Sequence, residues 1–295
     1  MILVTGVSGF IGKHLLKSLI EKYGASNILA LTSKPISDCN YLIHENYTFE
    51  KNYFTKNNYE SIETIVHAGA FTPKNGKDAN NIKLSNSNIQ NTEKLITADF
   101  PSLKKIIFLS TLDVYNNENV ISEESLEKPT SLYGLSKLYC EKMIEKYGDE
   151  KKIKTQILRI GHVYGPGEEN YQKIIPVSMK NILTNKKISI FGEGLELRAF
   201  IYINDVVTAI INCIELDRDI GIVNIVSENS ISIKKLVDKI IKLSDTSIEI
   251  ELINSTFESR NFIFNNEKLK KYLLKNETDL DDGLRIEYNY MKNLS

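Results

Sequence analysis

Tyr133 and Lys137 stand four residues apart in Tyr133-Gly134-Leu135-Ser136-Lys137, a segment that reads as the start of a helix. Residues at i and i+4 share a helical face, so the ammonium lies one turn behind the phenol. Such a pair could move a proton. A phenol of ordinary pKa, about 10, is a poor base at neutral pH, and bringing it to about 7 takes roughly 4 kcal/mol of preference for phenolate. One ammonium within about 4 to 6 Å supplies a shift of that order. The pair alone is a weak signal, because the chain has 15 tyrosines and an ordinary surface helix produces the same spacing. Its meaning depends on what the rest of the chain places around it.

The chain opens with Ile2-Leu3-Val4, an apolar run that reads as a buried parallel strand, followed by Thr5-Gly6-Val7-Ser8-Gly9-Phe10-Ile11-Gly12. A helix then presents Ile11, Leu15, Leu19 and Ile20 on one face. Strand, glycine-rich turn and helix in that order let the backbone approach a pyrophosphate, whose charge sits against the helix N-terminus. Gly6, Gly9, Phe10, Ile11 and Gly12 are therefore candidate dinucleotide-binding residues. A second strand over Asn27 to Thr32 ends in Thr32-Ser33-Lys34, where sites selective for NAD carry a carboxylate on the ribose hydroxyls. A hydroxyl and an ammonium can instead hold a 2′-phosphate, so the local chemistry leans toward NADP, with NAD as the alternative.

Further apolar runs predict strands over Ile62 to His67, Lys105 to Ser110 and Thr155 to Ile160, with a helix over Ile82 to Phe100. His67 leads into Ala68-Gly69-Ala70, small residues suited to close passage of a cofactor. The fourth strand delivers Thr111 at its C-terminal end, where doubly wound sheets bind ligands. The stretch from Ser37 to Tyr59 carries no readable chemistry. With 295 residues, 42% of them hydrophobic, the chain can bury one large core or two modest ones. A net charge of -1 offers no general attraction for nucleic acid or an anionic membrane. Cys39, Cys140 and Cys213 are odd in number and far apart, which suits reduced thiols, and neither they nor the histidines have metal-ligand spacing. No run of about 18 apolar residues occurs. The expectation is a soluble cytoplasmic protein without a metal.

In their order these segments resemble the extended short-chain dehydrogenase/reductases of the NAD-dependent epimerase/dehydratase family, whose members modify nucleotide-linked sugars. The family's glycine fingerprint is similar to Gly6, Gly9 and Gly12, its His-x-Ala-Ala to His67 to Ala70, and its Asn-x-x-Gly-Thr to Asn88 to Thr92, with Asn91 replacing the glycine. Its Ser/Thr falls on Thr111 and its Tyr-x-x-x-Lys on Tyr133 and Lys137. The segment Arg159 to Gly167 resembles the family's Arg-x-x-Asn-x-Tyr-Gly-Pro-Gly, except that His162 stands where the asparagine belongs. Ile190 to Gly194, Arg198 to Val206, Arg260 and Leu280 to Leu284 resemble the later family segments, including two arginines that grip a diphosphate.

The resemblance implies an α/β fold: a Rossmann-type doubly wound parallel sheet over residues 1–166, to which about 199–226 return, and a smaller α/β substrate-binding domain mainly over 167–295. It implies Thr111, Tyr133 and Lys137 as catalytic residues. Cofactor contacts fall on the glycine turn, Thr32 to Lys34, Ala68 to Ala70, Asn88, Tyr133 and Lys137. Thr111, His162, Arg198 and Arg260 are the implied contacts to a nucleoside-diphosphate sugar. Arg159, inside a strand, reads as structural. A homodimer through the Asn88 and Tyr133 helices is also implied. The 4,6-dehydratases carry Asp-Glu directly after the threonine, where this chain has Leu112 and Asp113. Leucine transfers no proton, so the expected chemistry is reduction of a 4-keto sugar with NADPH, with NAD-dependent 4-epimerisation as the alternative.

Overall fold

The computed structural model describes residues 1–44, 46–116, 118–244, 247–254 and 260–294. The first half alternates strand and helix: β1 (Ile2–Thr5), α1 (Phe10–Tyr23), β2 (Ile28–Thr32), β3 (Asn40–Ile43), α2 (Tyr53–Lys56), β4 (Thr64–His67), α3 (Ile82–Ile96), β5 (Lys105–Thr111), α4 (Leu132–Lys151) and β6 (Lys154–Ile160). There follow β7 (His162–Tyr164), α5 (Ile174–Leu183), β8 (Ile188–Phe191), β9 (Leu197–Tyr202), α6 (Ile203–Glu215), β10 (Ile222–Ile225), β11 (Ser230–Ser232), α7 (Ile233–Lys242), β12 (Ile250–Ile253), α8 (Glu267–Tyr272) and α9 (Leu280–Leu294).

Seven strands form one sheet in the order β10-β6-β5-β4-β1-β2-β3, with parallel pairing from β3 through β6. β1, β2 and β5 are buried along their whole length, which is why they read as continuous apolar runs rather than alternating ones. Leu3, Leu29, Ile65, Leu95, Ile106, Phe108, Cys140 and Ile157 belong to one core cluster beside this sheet. The strand order turns back between β1 and β4, so a crevice opens beyond their C-terminal ends. Edge strand β3 lies in the stretch that gave no signal: Asn40, Tyr41 and Ile43 are exposed, leaving no core-facing pattern to read.

The chain divides into two compact units, residues 1–116, 126–160 and 207–224 in the first and 117–125, 161–206 and 225–295 in the second. The expected first-domain limit at 166 moves back to 160, because β7 pairs with β9 in a separate three-stranded sheet, β11-β9-β7. For the same reason β9 does not return to the first unit, and the returning segment shortens from the expected 199–226 to 207–224. Residues 117–125 also leave it, since Ile121 accepts from Asn265 N–H at 2.9 Å and donates to the Ile263 carbonyl at 2.8 Å. Among the described residues, no helix is long and apolar enough to cross a membrane.

Candidate active site

The glycine turn after β1 is shaped by backbone contact. Gly6 has φ +73°, and a Cβ there would lie 2.6 Å from Gly69 N; a Cβ on Gly12 would lie 2.0 Å from the Gly6 carbonyl oxygen. Both positions admit only glycine, so β1, the first turn of α1 and the turn after β4 close on one another. Gly69 N–H donates to Thr5 Oγ1 at 2.8 Å, tying the two strand ends together. Gly69 itself stands where the family has alanine, and a Cβ there would meet the Tyr47 hydroxyl at 2.2 Å. Tyr47, from the stretch without a readable pattern, thus explains the departure. The open N-terminus of α1 and the glycine cradle fit a dinucleotide pyrophosphate.

At the end of β2, Thr32 Oγ1 donates to the Lys34 carbonyl at 3.0 Å and accepts from Lys34 N–H at 3.3 Å. Thr32 is buried and fixes the turn, while Ser33 and Lys34 are exposed. The three expected contacts therefore divide into one turn former and two side chains open to a ligand.

Ser131 caps α4 by accepting from Gly134 N–H at 3.1 Å, which places Tyr133 in the first turn and Lys137 in the second. Gly134 lets the helix approach the turn after β5: a Cβ there would be 2.4 Å from the Asp113 carbonyl oxygen. The Thr111 side chain starts that turn, accepting from Asp113 N–H at 3.2 Å. Thr111, Tyr133 and Lys137 are all buried, at 8%, 6% and 2% exposure, so the surface-helix reading of the pair fails. The Lys137 ammonium lies 4.0 Å from the centre of the Phe108 ring, a cation–π contact that partly replaces water. Burial pushes the ammonium down to about 8, against the opposing influence of Cys140 and Glu141.

This shift has two measurable consequences. Below pH about 8 the lysine carries the charge that favours phenolate, so kcat/KM is expected to fall as pH rises beyond that value. Between about 8 and the ordinary 10.5 the unfolded chain binds more protons at Lys137 than the folded one does, so this group's contribution to stability rises with pH there. A pH–rate profile flat to pH 10 would contradict the assignment.

Asn88, expected at the cofactor, has another task. Its Oδ1 accepts from Phe71 N–H at 2.7 Å, and its Nδ2 donates to the Phe71 carbonyl and to Ser136 Oγ, each at 3.2 Å. With both amide hydrogens committed, Asn88 holds the segment after β4 against the Tyr133 helix. Phe71 in turn sets its ring perpendicular to that of Tyr133 at 6.2 Å between centres. His67 lies between the Thr5 and Thr92 hydroxyls, 2.9 Å from each. Burial first, and then the Lys137 charge, push it down to about 3, so it stays a neutral hydrogen-bonding spacer.

Behind Thr111 runs a buried ionic network that sequence reading left out apart from Arg159. Glu141, fully buried one further turn along α4, accepts from Ser110 Oγ and from Arg159 Nε at 3.1 Å and Nη2 at 2.6 Å. Arg159 Nη2 also donates to Glu127, and its guanidinium lies 4.6 Å from the Tyr115 ring centre. Ser110 precedes Thr111, so Glu141 links the strand that carries the hydroxyl to the helix that carries Tyr133 and Lys137. The spacing 133, 137, 141 was the available signal: a third residue at i+4 extends the same helical face.

In the second unit, Arg198 and Arg260 converge on one ring. Their guanidinium carbons lie 4.9 and 4.4 Å from the centre of Phe262, and Arg198 Nη1 donates to the carbonyls of Leu197 and Arg260. Burial and then the proximity of Arg260, partly opposed by Glu196, hold Arg198 below the usual arginine range. Two cationic side chains thus lie against the same aromatic ring. His162, at the start of β7, lines a cavity of about 260 Å³ with Lys173, Arg198, Glu168 and Phe200 among its walls. Lys173 carried no sequence signal; it donates to the Val163 carbonyl at 3.2 Å and meets Glu168 at 3.4 Å.

The model of the NAD dependent epimerase/dehydratase family matches residues 2–225. The chain belongs to that family. A dTDP-D-glucose 4,6-dehydratase of Dictyostelium discoideum is 33% identical over 273 residues, covering 82% of this chain but only 62% of that protein. A putative UDP-glucose 4-epimerase of Methanocaldococcus jannaschii is 29% identical and matches over 99% of both chains. The crystal structure of UDP-glucuronic acid 4-epimerase from Bacillus cereus, in complex with UDP-glucuronic acid and NAD, is 25% identical, with a TM-score of 0.83 over 100% of this chain and 99% of that one. Family membership makes the chain an enzyme of the extended short-chain dehydrogenase/reductase type, with the α/β fold and seven-stranded sheet expected of it.

Proposed function

We propose that this enzyme reduces a nucleoside-diphosphate-4-keto sugar, a 6-deoxy one, using NADPH. Bound in the crevice at β1 and β4, the nicotinamide supplies the hydride. Tyr133 gives its proton to the sugar oxygen, Thr111 donates a second hydrogen bond to the same oxygen, and Lys137 holds the phenol ready to ionise. Arg198 and Arg260 take the diphosphate. The observation that carries the choice of cofactor is the end of β2: no carboxylate stands in Thr32-Ser33-Lys34, and the exposed ammonium of Lys34 is available to a 2′-phosphate. Lys34→Asp should reverse the preference toward NAD, through a loss of about 1 to 3 kcal/mol from one charge-assisted contact. Unchanged relative KM values for NADPH and NADH would reject it.

NAD-dependent 4-epimerisation is the second reading, favoured by the end-to-end likeness to the putative UDP-glucose 4-epimerase. Dehydration, the activity named for the Dictyostelium relative, meets Leu112, which is 4% exposed and carries no transferable proton. Denaturing the purified protein and identifying any released nucleotide separates the first two. Stoichiometric NAD with interconversion of C4 epimers establishes epimerisation; oxidation of added NADPH that requires a 4-keto sugar nucleotide supports reduction.

Replacing Arg198 or Arg260 with Ala should raise KM for the sugar nucleotide by roughly tenfold or more and leave kcat nearly unchanged. An effect on kcat alone would contradict the diphosphate role. Exposed Ile82 and Leu84 on α3, with Leu135 and Tyr139 on α4, support pairing with a second copy, cytoplasmic and homodimeric as the family resemblance implies. Light scattering should give twice the chain mass at micromolar concentration.

A further inference from the structure

Helix α9 packs against α5, α7 and β9, and the face that carries Gly283 is pressed onto the end of β7. A Cβ on Gly283 would lie 2.1 Å from the Tyr164 hydroxyl. Glu287 follows one helical turn later on the same face. It is 1% exposed, and both of its carboxyl oxygens are closed to water with no hydrogen-bond partner among the described residues. The Tyr164 hydroxyl and Oε1 of Glu168, the latter on a residue also 1% exposed, are in the same condition. The chemistry at Thr111, Tyr133 and Lys137 uses none of these groups.

A carboxylate without donors or water is strongly disfavoured in a protein interior, whereas the neutral acid loses the charge and gains an O–H to donate. Around Glu287 stand Glu168 and Lys173 from the segment before α5, Tyr164 from β7, Tyr202 from β9 and Asp205 from α6. Lys173 meets Oε2 of Glu168 at 3.4 Å, and Asp205 accepts from the N–H and hydroxyl of Thr278 at 2.8 and 2.9 Å. From α7, Lys239 pairs with Asp281 at 2.6 Å. Each of these cations thus already serves another carboxylate. Burial first, and then the charge of Glu168, push Glu287 up to about 10, with Lys173 and the Gly165 backbone opposing. Burial likewise pushes Glu168 up to about 7, against the pull of Lys173.

We propose that α9 is docked by a proton: Glu287 is seated as the neutral acid against the segment from Tyr164 to Glu168, and loss of its proton at alkaline pH releases the helix from β7 and α5. The sign follows from linkage. An acid that holds its proton more tightly in the folded chain than in the unfolded one stabilises the fold at low pH, and that contribution falls as pH rises toward the folded value. Tyr164 and Glu168 also line the cavity of about 260 Å³, so the wall they form loosens with the helix.

Urea denaturation and amide hydrogen exchange of the wild-type protein and Glu287→Gln across pH 5 to 9 test it, with infrared spectroscopy as a further readout. The amide is neutral at every pH and keeps the shape of the acid. The ratio of folded to unfolded wild type should therefore fall, relative to that of Glu287→Gln, by up to about tenfold per pH unit. Exchange along α9 should accelerate with pH more steeply in the wild type than in the variant, which cancels the intrinsic effect of hydroxide. The wild-type infrared spectrum should keep a neutral carboxylic acid band at pH 7 that Glu287→Gln lacks, and the band should vanish over the range in which α9 loses protection. Parallel pH dependence of the two proteins would overturn the proposal. Absence of any neutral-acid band from the wild type at pH 7 would overturn it even if the variant failed to fold. Stabilisation of the wild type by potassium chloride but not by choline chloride would put a bound cation in the place of the proton, and would overturn it as well.

Discussion

Tyr133→Phe should lower kcat by roughly 100-fold or more while leaving folding and dinucleotide affinity intact, the scale of a lost general acid–base group. The substitution removes one oxygen and keeps the ring, which is packed at 6% exposure and set perpendicular to Phe71. No cavity forms, so stability should change little. The expected loss lies in the chemical step because the phenol acts on a proton whose transfer is complete only with hydride transfer. Lys137→Met should show a related loss through a different route: it removes the charge that favours phenolate, so the phenol keeps its proton to higher pH and the basic limb of the pH–rate profile should move to higher pH. Activity in Tyr133→Phe within a few-fold of wild type, at any pH between 6 and 9, would remove the mechanism from this site.

Arg159→Met should destabilise the fold by about 3 to 5 kcal/mol, the cost of leaving a buried charge without its partner. Glu141 is 0% exposed, and its side chain receives two nitrogens of Arg159 as well as Ser110 Oγ. Removing the guanidinium leaves that carboxylate with a single hydroxyl donor. Glu127 loses a partner as well, but it also meets Lys142 at 3.2 Å at the surface, so its part of the loss is small. The double variant Arg159→Met with Glu141→Leu should recover part of the stability, since no charge is then buried alone. Activity provides a second readout, because Ser110 adjoins Thr111 and loses its acceptor in the double variant, where Glu141 is replaced. Urea denaturation of the single and double variants measures the coupling; a single-variant loss below about 1 kcal/mol would show that the network is not the tie between β5 and α4.

The sequence by itself determined those features that near neighbours in the chain dictate. Ile2 to Gly12 specify strand, turn and helix because glycine alone reaches the backbone angles and approaches found at Gly6 and Gly12. Tyr133 and Lys137 share a face because helical geometry fixes the i, i+4 relation. The buried strands β1, β2 and β5 were legible as apolar runs, whereas β3, exposed at the sheet edge, had no pattern to show. Only the tertiary structure decided what depends on pairing between distant segments. Arg159 meets Glu141 and Glu127 from 18 and 32 residues away, Tyr47 fills the space that makes residue 69 a glycine, and β7 joins β9 instead of continuing the first unit. His162 was visible as a departure from a pattern, but its burial beside the Phe200 and Phe262 rings on the wall of a cavity was not. Periodicity records which face of an element is covered; it does not record which distant side chain covers it, because any side chain of suitable size and polarity satisfies the same burial.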